Sequence, residues 1–137
     1  MSVAAEAIAQ QVVWKNGEML RFACALIRRA LALPVEPGQF TTDIVPDSER
    51  GDGHGIAGSV VDILKKSSLL EPVGIVQRGP DNQPTFYAHR LKSTRADAKS
   101  RWLNVYRLTS RALAQEFLSR YEPLVPELET QAELLPA

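Results

Sequence analysis

Cysteine is nearly missing from this chain. Cys24 is the sole thiol among 137 residues, so no internal disulfide can staple the fold. A lone thiol fits a reducing cytoplasm. Flanked by Phe22, Ala23, Ala25 and Leu26, it reads as a small buried hydrophobe. Histidine is almost as scarce, with only His54 and His89. No His/Cys/carboxylate group has metal-ligand spacing; Asp52 and His54, two apart in a glycine-rich turn, are a weak pair. Gly51-Asp52-Gly53-His54-Gly55 lacks the Lys-Ser/Thr that follows in a phosphate-cradling P-loop. No nucleophile elbow is present either. No catalysis, metal or cofactor is therefore expected. Long apolar runs are also missing: Met19 to Leu33 is broken by Arg21, Arg28 and Arg29. With no secretory n-region, a cytoplasmic protein without a membrane partner is expected.

Net charge is the last absence. Sixteen Lys and Arg balance sixteen Asp and Glu, so bulk charge announces no polyanionic partner. The distribution is uneven, however. Arg78, Arg90, Lys92, Arg95, Lys99, Arg101, Arg107 and Arg111 crowd one stretch against Asp81 and Asp97 alone. The acids sit in Glu36 to Asp52 and in the tail from Glu122 to Glu133. A basic segment inside a neutral chain suits one anionic contact surface; the plain alternative is a solvated loop.

Periodicity supplies the elements. Val3 to Trp14 favours helix, and Asn16-Gly17 interrupts it. Met19, Phe22, Ala23, Leu26, Ile27 and Ala30 form the core stripe of a helix from Glu18 to about Leu33. Phe40 to Val45 predicts a short helix capped by Thr41 or Thr42 and limited by Pro46. After a loop, a helix from about Gly55 to Ser67 presents Ile56, Val60, Ile63 and Leu64 on one face. Val73 to Arg78 reads as a strand, Gly79-Pro80-Asp81-Asn82 as a turn, and Thr85 to Arg90 as a short further strand. Trp102 to Leu108 is the best strand, and Ser110 caps a helix from Arg111 to about Tyr121. Trp102, Tyr106 and Phe117 are expected as core aromatics.

Helix, short helix, turn, helix, then two strands separated by a long basic loop resembles the winged helix-turn-helix superfamily over residues 18 to 121. Phe40-Thr41-Thr42-Asp43-Ile44 opens the second helix and Ile56 to Leu64 forms the third. Leu69-Leu70-Glu71-Pro72-Val73 leads into the sheet, and Trp102 to Leu108 returns. His89-Arg90-Leu91-Lys92-Ser93-Thr94-Arg95, then Arg101 to Tyr106, looks like the wing of small phage and prophage proteins of this type. The resemblance implies an α+β, mostly α fold: a three-helix core with a β-hairpin wing and extra N- and C-terminal helices. It divides the chain into a helical extension (1–17), the winged-helix domain (18–121) and an acidic tail (122–137).

The resemblance further implies a non-enzymatic protein of bacterial or phage transcription or replication that binds double-stranded DNA. Its third helix would enter the major groove through His54, Ser59, Lys65 and Lys66. Its wing would touch backbone through Arg78, His89, Arg90, Lys92, Arg95, Lys99 and Arg101. Asp62, and the lack of Arg, Asn or Gln on that helix, argue for backbone and shape recognition over sharp base readout. The rival is an interaction or dimerisation module that binds no DNA, associating through its terminal helices. Zero net charge and Asp62 favour it.

Overall fold

The computed structural model describes residues 17–35, 38–50, 56–95 and 101–126. The expected N-terminal helix, the acidic tail beyond residue 126, His54 and Lys99 lie outside them. Three α-helices and seven short strands are described. They are α1 (Gly17–Leu31), β1 (Gln39–Phe40), α2 (Ile56–Lys66), β2 (Leu70–Pro72), β3 (Gly74–Arg78), β4 (Pro84–Ala88), β5 (Arg90–Lys92), β6 (Trp102–Asn104), β7 (Tyr106–Leu108) and α3 (Arg111–Tyr121).

Helix α1 is the axis of the core. Leu20, Phe22, Ala23, Cys24, Ala25, Leu26, Ile27 and Ala30 are all buried, so the helix is covered on most of its circumference. Val60, Val61 and Leu64 of α2 and Ala114, Phe117 and Tyr121 of α3 join that cluster. Each large side chain so enclosed contributes about 1.5–3 kcal/mol. Ser110 caps α3 as its sequence predicts, its hydroxyl accepting from the Leu113 amide at 3.2 Å. Helix α3 packs Ala114, Phe117 and Tyr121 into the cluster around α1 and is part of the core.

Helix α2 ends in a Schellman turn. The Leu69 amide donates to the Leu64 carbonyl at 2.9 Å and the Ser68 amide to that of Lys65 at 3.0 Å. Ser68 takes the left-handed conformation there, with φ 62°.

The winged-helix expectation fails at two points. Among the described residues between α1 and α2 there is no α-helix. Phe40 belongs to β1, and Thr42–Ile44 and Asp47–Glu49 are single 3-10 turns. Thr41 caps the first of these, accepting from the Asp43 amide at 3.2 Å, but Pro46 arrives before a second turn can form. The helix-turn-helix unit is therefore missing. The second point is the ribbon. The resemblance makes Val73 to Arg78 and Trp102 to Leu108 the two strands of one hairpin, although the Gly79 to Asn82 turn and the strand from Thr85 are legible between them. Instead β3 pairs antiparallel with β4, and β5 with β6. The chain is not a winged-helix core with terminal helices added; it is a three-helix core bearing a forked β-ribbon.

The fork is built from backbone. Strand β7 lies between β1 and β2 in a small antiparallel sheet, with Phe40 opposite Tyr106 and Leu70 opposite Leu108. Beyond this stem three residues bond one another in a ring. The Val73 amide donates to the Val105 carbonyl at 2.9 Å, the Val105 amide to that of His89 at 3.1 Å, and the His89 amide to that of Val73 at 2.9 Å. Every amide and carbonyl at the branch point is thus paired, which lets two ribbons part from one stem without orphaned polar groups. The predicted strand Trp102 to Leu108 is cut at Val105 for this reason, its first half serving one arm and its second half the stem.

Candidate nucleic-acid interface

Arm β5–β6 carries the cationic surface. Its register places Arg90 opposite Asn104, Leu91 opposite Leu103 and Lys92 opposite Trp102. Side chains alternate across a strand, so Arg90, Lys92, Trp102 and Asn104 share one face. The Ser93 amide donates to the Arg101 carbonyl at 2.8 Å, which makes Lys92 and Trp102 a non-hydrogen-bonded pair with close side chains. The Lys92 ammonium accordingly lies over the Trp102 ring, 5.6 Å from its centroid. Trp102, expected in the core, is 59 % exposed. Its strand leaves the stem at Val105 and carries the ring away from the helices. Among the described residues Arg90, Lys92 and Arg101, all exposed, enter no ion pair.

The loop that follows β5 is tied to the body. Asp43 accepts from the Ser93 hydroxyl at 2.8 Å and the Thr94 amide at 2.7 Å. Its carboxylate also lies 3.7 Å from the Arg50 guanidinium. Arg50 in turn donates to the carbonyls of Val45, at 2.9 Å, and Thr42, and stacks on Phe22 at 5.4 Å. Arg95 bonds Asp47 through Nε at 3.2 Å. Arg95 is therefore engaged by an intramolecular carboxylate and serves as a tether.

The remaining candidates scatter. Ser59, Lys65 and Lys66 are exposed on α2, together with Asp62. Arg78 is on the other arm and donates to the Asn82 carbonyl at 2.7 Å, bracing the turn. His89 is exposed at the branch point. The structure brings Arg90 and Lys92 together with Trp102 on one face, sets Arg101 on the other face of the same arm, and leaves Arg78, Ser59, Lys65 and Lys66 elsewhere. Sequence reasoning missed Trp102 as a surface residue. Its cross-strand partner Lys92 was the available signal, but reading it required the β5–β6 register.

A second concavity of about 330 Å³ lies on the body, lined by Arg21, Cys24, Arg28, Glu49 and Glu122 among others. Its charges are compensated internally, by Arg28 with Glu122 and by Arg29 with Glu49. Burial, reinforced by the Glu122 carboxylate, pushes the Cys24 thiol up to about 12, so it stays protonated at neutral pH and presents no thiolate. Among the described residues no His, Cys, Asp and Glu side chains gather as a metal-ligating group, and no helix is long and apolar enough to cross a membrane. Comparison with family models, with characterised proteins and with solved structures gives no match.

Proposed function

We propose that this chain is a non-enzymatic protein that binds duplex DNA through arm β5–β6, gripping the phosphate backbone more than reading bases. The observation that supports this is the face bearing Arg90, Lys92, Trp102 and Asn104, where exposed cations with no ion-pair partner among the described residues lie beside an exposed indole. A two-stranded ribbon has dimensions that the DNA major groove admits. Arginine and lysine supply charge-assisted bonds to phosphate oxygens, and an exposed aromatic beside them suits insertion at a base step or stacking on a base. The tether from Asp43 and Asp47 holds the arm at a fixed angle to the body, which reduces the ordering cost of binding.

Titration of duplex DNA against the protein at several salt concentrations tests this reading. Affinity should fall steeply with salt, since each neutralised phosphate releases counterions. The double change Arg90→Ala with Lys92→Ala should weaken binding on every sequence and reduce the salt slope by about two, about one for each lost phosphate contact. Salt-independent affinity, or a double variant that binds like the parent, overturns it. The rival, a protein-association module that binds no DNA, draws support from the apolar surface of arm β3–β4; it expects no salt-dependent DNA binding at all.

A further inference from the structure

Arm β3–β4 is the odd element of this molecule. It is a two-stranded ribbon with apolar side chains on both faces and, among the described residues, no layer packed against either. Val76 and Phe86 form a cross-strand pair on one face, and Ile75 and Tyr87 on the other. Val76 is 67 % exposed and the other three nearly half exposed. An isolated hairpin of this kind is marginal in water, and an open apolar edge is a template for another strand.

The hydrogen-bond phase decides which edge is open. The Gly79 amide donates to the Gln83 carbonyl, and the His89 amide to that of Val73, both at 2.9 Å. Antiparallel pairs alternate, so Ile75 with Tyr87 and Gln77 with Thr85 also turn their backbone groups inward. The outward groups of β3 belong to Gly74, Val76 and Arg78, and no partner is found for them among the described residues. The outward groups of β4 belong to Pro84, Phe86 and Ala88. Pro84 has no amide hydrogen, so the β4 edge is blunted at its start. This arm therefore offers one good edge, and pairing through a single edge of the arm closes a dimer without propagating a fibre.

We propose that this edge pairs with its own counterpart in a second copy of the chain, giving a four-stranded antiparallel sheet in the order β4-β3-β3-β4 about a two-fold axis at Val76. The register is palindromic. Val76 faces Val76 of the second copy as a hydrogen-bonded pair, and Gly74 faces Arg78, so every outward amide and carbonyl of β3 meets an outward group. Charge fits as well: the only ionised side chain on β3 is Arg78, and it lies opposite a glycine, so no like charges meet across the axis. Val76 and Phe86 of both copies become one apolar cluster on one face. Ile75 and Tyr87 of both lie on the other. This pairing does not depend on the DNA reading and is measured without nucleic acid.

Light scattering and thiol cross-linking test it on the full chain. The parent should show twice the 15.1 kDa mass of the chain at high concentration and dissociate on dilution. Val76→Lys sets two ammonium groups face to face on the axis and should leave single chains at concentrations where the parent is paired. Its high exposure should keep the change from disturbing the fold, which an unchanged circular-dichroism spectrum would verify. Under mild oxidation Val76→Cys should join the two copies, because paired Cα atoms about 5.5 Å apart suit a disulfide. Gln77→Cys, which faces Ile75 of the second copy, should cross-link at least tenfold more slowly. The buried Cys24 thiol does not compete. A parent of single mass at every concentration, a dimer indifferent to Val76→Lys, or equal cross-linking at both positions overturns the proposal.

Discussion

The two arms of the fork leave the same ring of three backbone bonds and then diverge in chemistry. Arm β5–β6 keeps Arg90, Lys92 and one indole on its outer face, while Asp43 and Asp47 anchor the loop at its end to the body. Arm β3–β4 keeps its charge at the tip, exposes apolar pairs on both faces, and closes on itself through a tight turn. That turn is a three-residue loop in which Pro80 and Asp81 occupy the turn and Asn82 adopts the left-handed conformation, φ 62°. One ribbon is positioned by electrostatics against the core; the other is free along its length. A branched ribbon thus presents two surfaces of different chemistry from one small stem.

Breaking the branch should have the largest effect on both arms together. Val105 is 4 % exposed and closes the ring of bonds. Val105→Asp buries an unpaired carboxylate there and should cost about 3 kcal/mol or more, measured by chemical denaturation. If only one arm loosened in hydrogen exchange, the shared branch point would not be what holds them.

The next tests separate the arms. Gly74→Val should disturb β3–β4 alone. A Cβ at Gly74 would meet the Tyr87 carbonyl oxygen at 2.3 Å and the Phe86 ring at 2.6 Å, too close for real atoms. We expect a local cost of about 1–3 kcal/mol, seen as faster amide exchange from Gly74 to Ala88 while Arg90 to Lys92 keeps its protection. Asp43→Ala should do the reverse. It removes the acceptor of Ser93 and Thr94 and should cost about 1–3 kcal/mol, with exchange rising in β5 and β6. Equal loosening of both arms in either variant would break the distinction.

Trp102→Ala should affect stability least, within about 0.5 kcal/mol, because the ring is on the surface. It should nevertheless weaken DNA binding. A clear loss of stability with unchanged binding would mean that the indole packs and does not recognise.

Much of the local structure was legible in the residues. The α1 stripe from Met19 to Ala30, the Ser110 cap, the α2 face and the Gly79 to Asn82 turn all follow from spacing and short-range chemistry. The short helix at Phe40 was read from a cap that does exist, yet Pro46 leaves it only one 3-10 turn. Trp102 to Leu108 shows unbroken alternation, and nothing local marks Val105 as a boundary. The fork depends on which strand each segment pairs with, a competition between contacts distant in sequence. Of the nine described residues among the eleven proposed to contact DNA, Arg90, Lys92, Arg95 and Arg101 fall on arm β5–β6 or its loop. Of these Arg95 is already engaged by Asp47.

By itself the sequence determined the helices, their caps, the tight turn and the concentration of cations, because each depends on neighbours within a few residues along the chain. Tertiary structure alone decided that β3 would turn back on β4, that Val105 would become a branch point, and that Trp102 would face water beside Lys92. Strand partners are chosen by the total pairing of backbone groups and burial across the whole ribbon. That choice is not encoded at any one position.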